Sequence, residues 1–199
     1  YELTKQSRVL EQVPVTFNFI KNRVAAIIDD SNYGEYFTNS VILQLAALHS
    51  AQDLKLVFFI DENNNNFDLD YVKYFPHTFS DDKSRRYYAT NYDDMKILSK
   101  ELEDIFTERL ESFKKKNENS APEDNDGDKE INMYKRFDSY FMIITNDLIN
   151  TKNLPIFNMI FDEPNNVGFS ILYIDAFLNK LPKRCNSFIS LSSEYGSIF

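Results

Sequence analysis

A three-layer α/β domain, with a mostly parallel sheet and helices on both faces, is what this sequence predicts, and three observations carry the prediction. Val24–Ile28 and Leu54–Ile60 are short runs apolar at nearly every position, the pattern of strands covered on both faces. Each run ends in acids, Asp29-Asp30 and Asp61-Glu62. Between and after them lie stretches whose apolar residues recur three and four apart, the mark of helices with one buried face. Strands that alternate with helices pair through right-handed crossovers and form a layered α/β domain.

The elements follow in chain order. Val13, Val15, Phe17 and Phe19 alternate with Pro14, Thr16 and Asn18, which predicts a half-buried strand with Pro14 at an edge or at its start. Val24–Ile28 is the first buried strand, and residues 29–36 form a polar loop. A helix is expected over residues 37–49, with Val41, Ile42, Leu45 and Leu48 on one stripe. The second buried strand spans Leu54–Ile60, and a polar loop at 63–66 leads to a helix around 71–75. A short third strand is expected at Arg86–Thr90. Asn91 then stands where a helix cap belongs, ahead of Asp93 and Asp94 in the first turn. The helix after it places Met95, Leu98, Leu102, Ile105, Phe106, Leu110 and Phe113 at spacings of three and four, and Lys114–Lys116 suit its carboxyl end. Residues 117–130 are acidic and almost free of apolar side chains; they offer too little burial to offset their ordering entropy and read as a mobile insert. Tyr140–Thr145 is a fourth strand, 154–161 a helix, 169–174 a fifth strand, 176–181 a short helix and 188–191 a last strand. The whole chain, 1–199, reads as one domain.

Composition removes several classes of function. The chain has 199 residues and a formal net charge of −9; it shows no basic patch, so no nucleic-acid partner is expected. One cysteine, Cys185, allows no internal disulfide and suits a reducing compartment. His49 and His77 are the only histidines, so a His/Cys metal centre is excluded. Glycine occurs 4 times, and no glycine-rich dinucleotide loop can be written with it. No apolar run approaches the roughly 20 residues of a membrane span, and no signal peptide opens the chain. Because it begins at Tyr1 rather than Met, the chain reads as a piece of a longer protein.

In open α/β sheets ligands gather outside the carboxyl ends of the strands. Here those ends carry Asp29-Asp30, Asp61-Glu62, Asn91, Asn146-Asp147 and Asp175, although solvated loops and helix caps are the simpler explanation of such residues. A phosphate-binding loop reads G-x-x-x-x-G-K-[ST] between a strand and a helix. Laid on residues 29–36, that pattern keeps only Gly34: Asp29 replaces the first glycine, Glu35 the lysine and Tyr36 the hydroxyl ligand of Mg²⁺. A unit charge about 4 Å away is worth roughly 4 kcal/mol at an effective dielectric of about 20. Exchanging lysine for glutamate therefore turns an attraction into a comparable repulsion, and Glu35 itself suits the positive end of the helix dipole. The matching acidic strand end is Phe141–Thr145 followed by Asn146-Asp147, where a neutral amide stands at the metal acid's place and Asp147 also suits a helix cap. His49 and His77 lack a second ligand in sequence reach and read as structural. Cys185 follows Lys183-Arg184, which lowers a thiol pKa, but a buried thiol is the simpler reading.

Val41–Ser50 with Asp53 and the strand after it, Phe75-Pro76-His77, the helix around Arg109, the strand through Ile144-Thr145 and Leu181-Pro182 together resemble one family. It is the EssC family of FtsK/SpoIIIE-type ATPases of type VII secretion systems, and the segments resemble its first cytoplasmic, ATPase-like domain. The resemblance implies a P-loop NTPase (FtsK/RecA)-like fold that is degenerate here, in a membrane-anchored motor whose full-length members use ATP and Mg²⁺ and export small helical proteins. It also implies that this domain lies on the cytosolic side of the bacterial membrane without inserting into it. The implied partners are neighbouring ATPase domains of the same chain, other secretion components and, in the full-length protein, further copies of itself. Asp29, Glu35, Tyr36 and Asn146 depart from the family's pattern.

The expected function is a non-catalytic coupler between membrane anchor and active ATPase modules, with no cofactor, no metal and no catalytic residue. Its degenerate nucleotide pocket would comprise Asp29, Asp30, Gly34, Glu35, Tyr36, Asn146 and Asp147. One alternative is a domain that binds or weakly hydrolyses Mg-ATP through unconventional ligands, with Asp29, Asp30 and Asp147 holding the cation. Another is a receiver-like acidic pocket, against which Asp175 stands where a lysine is needed.

Overall fold

The computed structural model describes residues 16–29, 34–63, 69–118, 137–175, 177–191 and 196–198. Six parallel strands form the centre: β1 (Val24–Asp29), β2 (Leu54–Phe59), β3 (Tyr88–Ala89), β4 (Tyr140–Thr145), β5 (Phe169–Asp175) and β6 (Ser187–Leu191). A seventh, β7 (Gly196–Ile198), pairs antiparallel with β6, and the order across the sheet is β3-β2-β4-β5-β1-β6-β7. Val24 pairs with Ile171 of β5, and Ala25 with Ser187 of β6. Every residue of β1, β2 and β5 is buried, which is why those runs lack the alternation of a one-sided strand.

Alternate residues of each strand feed two cores. Ala26, Val57, Phe59, Ile143 and Tyr173 face one side. There they meet α2 (Tyr92–Glu118) through Met95, Leu102 and Phe106, and α4 (Pro155–Asp162) through Ile156, Phe157 and Ile160. Ala25, Ile27, Leu56 and Phe58 face the other side, under Ile42 of α1 (Gly34–Leu48). Asn91 caps α2 as its sequence position predicts, its Oδ1 accepting from the amide of Asp94 at 2.9 Å.

The structure departs from the sequence reading where local chemistry outweighs pattern. Val13–Val15 lie outside the described residues, and Thr16–Phe19 is not a strand. Phe17 and Phe19 do pack against the α1-side core, with ring centroids 4.9 Å apart. The chain turns after them because Asn18 Oδ1 accepts from the amides of Ile20 and Lys21, at 3.0 and 3.1 Å. The alternation thus reported burial correctly and backbone wrongly. The helix expected near 71–75 is a 3₁₀ turn over Asp70–Tyr74, halted by Pro76, and a second turn spans Pro76–Thr78. The short helix expected at 176–181 is a 3₁₀ turn at Leu178–Lys180. α3 (Leu148–Thr151) and β7 were not foreseen. The predicted insert falls outside the described residues apart from 117–118, which are the last residues of α2.

At the amino-terminal edge of the sheet, Arg109 ties α2 to β4 and β5. Its guanidinium donates to the carbonyls of Ser139, Val167 and Gly168 at 2.8, 3.3 and 3.4 Å. It lies 4.8, 4.9 and 5.3 Å from the ring centroids of Phe137, Phe141 and Phe169. Gly168 takes φ +90°, and a Cβ there would come within 2.5 Å of the Arg109 guanidinium. Burial lowers the Arg109 pKa to about 10, still far above neutrality. A cavity of about 390 Å³ opens beside it, lined by Lys55, Tyr87, Phe113, Phe137 and Asp138 among others.

Thr38, fully buried on α1, has a hydroxyl with no hydrogen-bond partner among the described residues. Replacing a lone buried hydroxyl by a methyl of similar shape removes a desolvation cost. Thr38→Val is therefore expected to stabilise the fold by about 1 kcal/mol, raising Tm by about 2–4 °C in thermal unfolding.

Candidate functional site

β4, β5 and β1 are consecutive in the sheet, so their carboxyl ends meet at one edge. With about 4.8 Å between neighbouring strands, the outer two ends lie roughly 10 Å apart. α1 leaves β1 toward one face, while α3 and α4 leave β4 toward the other. The edge is thus the crevice where open α/β sheets take ligands. The fold gathers Asp29, Gly34, Glu35, Tyr36, Asn146, Asp147 and Asp175 there; Asp30 lies outside the described residues.

Asp29 is the last residue of β1, 7 % exposed, and its Oδ2 accepts the Gly34 amide at 2.5 Å. Gly34 is the first residue of α1, three positions earlier than its apolar stripe indicates. The amide that Asp29 takes is one of the donors a helix leaves free at its start. A Cβ on Gly34 would sit 2.1 Å from Asp29 Oδ2 and 2.3 Å from Asp29 Cβ, so only glycine fits against that carboxylate. The side chain that reaches the helix end is Asp29, not Glu35, which is half-buried in the first turn. Tyr36 points to solvent, 73 % exposed.

On β4's exit, buried Asn146 accepts the Asp61 amide through Oδ1 at 2.8 Å, fixing that side chain between two strand ends. Its Nδ2 is buried without a hydrogen-bond partner among the described residues. Asp147 is committed to α3: Oδ1 accepts the Asn150 amide at 2.9 Å and Oδ2 the Asn150 side chain at 2.7 Å. Its own amide donates to Thr145 Oγ1 at 3.0 Å. The cap reading of Asp147 is therefore the one realised. Asp175 accepts the Phe177 amide at 2.8 Å and lies 3.9 Å from Lys180 Nζ. Two partners escaped sequence reasoning, Asn150 and the Asp61 amide. An acid followed three residues later by an amide side chain at a helix start was the available signal for the first.

Chemically, Asp29, Asp61, Asp147 and Asp175 are engaged with backbone donors of the segments that follow their strands. Among the described residues no group of three His, Cys, Asp or Glu side chains could hold a metal ion. The histidines are elsewhere: His49 closes the far end of α1, about 20 Å away along the helix axis, and its carbonyl sits 2.9 Å from His77 Nε2. Cys185 is also apart from the site and buried, which pushes its pKa up to about 12 despite Lys183 and Arg184. At pH 8 it is expected to react with a thiol reagent roughly three orders of magnitude more slowly in the native chain than in urea.

The fold is an α/β domain with a mostly parallel sheet and helices on both faces, shared with solved ATPase domains. No family model matches the chain, and no curated protein matches it. Among solved structures it is similar to the cytoplasmic domain of the type VII secretion ATPase EccC of Thermomonospora curvata, at TM-score 0.58 and 12% identity over 90% of this chain. It is similar to EssC (ATPases 2 and 3) of Geobacillus thermodenitrificans at TM-score 0.62 and 13% identity over 87% of this chain. A third likeness is to the cytoplasmic domain of EssC, at TM-score 0.54 and 16% identity over 91%. The chain spans only 20%, 33% and 34% of those three chains. None of its described helices is long and apolar enough to cross a membrane.

Proposed function

We propose that this chain is a nucleotide-free, ATPase-like module of a type VII secretion motor, which couples the motor's membrane anchor to its active ATPase domains. The observation that carries this reading is the Asp29 carboxylate on the Gly34 amide at 2.5 Å. In a working phosphate loop, free amides at the helix start and a lysine meet the phosphates. Here the first amide already holds a carboxylate, and Glu35 supplies a negative charge where the lysine belongs. A phosphate oxygen would have to displace Asp29 and face Glu35, each a repulsion of roughly 4 kcal/mol at about 4 Å and effective dielectric 20. On the cation side, Asp147 is held by Asn150 and Asn146 brings no charge, so the described residues do not fit Mg-ATP.

The likeness to chains built of several ATPase domains supports a place within a longer polypeptide, on the cytosolic side of the membrane. The partners of this reading are the neighbouring ATPase domains, the other secretion components and, in the whole motor, further copies of it.

Isothermal titration with Mg-ATP tests the idle site. No heat of binding is expected up to millimolar nucleotide. Micromolar binding that disappears in Glu35→Ala or Asp147→Ala would instead establish the unconventional-ligand site. The triple change Asp29→Gly, Glu35→Lys and Tyr36→Thr restores the phosphate-loop pattern and is expected to create measurable Mg-ATP affinity.

A further inference from the structure

The cavity beside Arg109 lies at the end of the sheet opposite the carboxyl edge. Its volume of about 390 Å³ falls at the low end for small-molecule sites. Ile105, Phe113, Phe137 and Phe141 give it an apolar wall, and its charged groups are sorted by depth. Lys55, the second residue of β2, also lines it, with a side chain only 5% exposed. Lysine is almost never buried unless paired. This ammonium has three donors and makes one hydrogen bond, to Asp81 at 2.6 Å, whose carboxylate is 72% exposed. Tyr87 lines the same cavity and is buried, yet its hydroxyl has no hydrogen-bond partner among the described residues. The exposed carboxylates of Asp81, Glu108 and Asp138 mark the mouth. Glu108 and Asp138 act on Arg109 through space, but neither forms an ion pair with a described residue.

We propose that this cavity binds a small zwitterion, a free amino acid with an apolar side chain. Its carboxylate would point inward to Lys55 and Tyr87, and its ammonium outward to Glu108 and Asp138. Charge selects this class over the simpler ones. Two cations and three carboxylates already leave the cavity one charge negative, so a plain anion would be repelled at the mouth. A plain cation would meet Lys55 and Arg109 inside. A zwitterion answers both ends and adds no net charge, while its side chain covers the aromatic wall. On Lys55 the ligand carboxylate would take the place of Asp81, because an ion pair closed off from water is stronger than one whose acid stays in solvent. The spare ammonium protons and the Tyr87 hydroxyl then gain the acceptor they lack.

Titration of the chain with L-phenylalanine, followed by calorimetry and by amide chemical shifts, tests this. Saturable binding below about 10 mM is expected, with shifts centred on Lys55, Tyr87 and Phe137. The analogues 3-phenylpropionate and 2-phenylethylamine each lack one charge and are expected to bind about tenfold more weakly. Tyr87→Phe is expected to weaken phenylalanine by about fivefold, and Glu108→Gln with Asp138→Asn to weaken it at least as much. Asp81→Asn, at an exposed position where folding is not at stake, frees Lys55 and is expected to tighten binding. No saturation by about 10 mM, shifts centred elsewhere, or equal affinity for the three probes would overturn the proposal. So would an Asp81→Asn chain that binds no better than the parent.

Discussion

Replacing Arg109 by alanine is expected to destabilise the fold by about 4 kcal/mol and to lower Tm by about 8–16 °C. The side chain holds three backbone carbonyls, those of Ser139, Val167 and Gly168, and lies against three aromatic rings. Hydrogen bonds from a charged donor are worth about 1.5–3 kcal/mol each, and a desolvated cation–ring contact up to about 2. These terms do not add fully, because one guanidinium makes all of them. Removing it also takes the donor from the Ser139 and Val167 carbonyls, while Gly168 keeps the Phe141 amide, and leaves a void between α2 and the starts of β4 and β5. Arg109→Lys retains the charge but not the planar fork, and about half the loss is expected. Urea unfolding of the two variants checks both values; a change below about 1 kcal/mol in Arg109→Ala would show that the ring stack does not hold the sheet edge.

Gly34→Ala is expected to cost about 2–3 kcal/mol, although alanine favours a helix over glycine by about 1 kcal/mol. The sign follows from geometry: the new Cβ would lie 2.3 Å from Asp29 Cβ and 2.1 Å from its carboxylate. Asp29 must then leave, and its bond to the Gly34 amide goes with it. In an Asp29→Gly background both atoms are gone, and Gly34→Ala is expected to be neutral or stabilising. The difference between backgrounds is thus a coupling of about 2 kcal/mol or more, read from a double-mutant cycle in chemical denaturation. Additivity of the two changes would show that the carboxylate is not seated on the helix end. That seat is the physical basis for the proposed idle phosphate site, so the cycle and the Mg-ATP titration examine one contact from two sides.

Much of the architecture was legible because strand burial is a local property of sequence. Runs such as Val24–Ile28 and Phe141–Thr145 have no polar face to offer solvent, and they became central strands. Asn91 and the stripe from Met95 to Phe113 announced α2 for the same reason: a cap and a repeat both act within a few residues. Val13–Phe19 failed as a strand over its described part because alternation reports which side chains are buried, and the turn at Asn18 decides the backbone there. The short turns at 70–74 and 178–180 were read as helices because a few apolar residues cannot distinguish a 3₁₀ turn from the start of a longer helix.

At the site, the sequence supplied the cast and the fold assigned the parts. Asp29, Gly34, Glu35 and Asn146-Asp147 could be singled out because a phosphate loop has a fixed spacing and these residues depart from it. That Asp29 rather than Glu35 occupies the helix end could not be read. It depends on where β1 stops relative to α1, and a shift of one residue would turn that carboxylate away.

Unaided, then, the amino-acid order determined the layered α/β class, the buried strands and the departure of residues 29–36 from a phosphate-loop pattern, all written in side-chain identity over short distances. Tertiary structure alone decided the strand order, the meeting of β1, β4 and β5 at one edge, and the pairing of Asp29 with the Gly34 amide. The strand order and that meeting depend on contacts between segments far apart in the chain, which become favourable only when loop closure and burial occur together; the Asp29–Gly34 pairing spans five residues and depends on where β1 stops relative to α1.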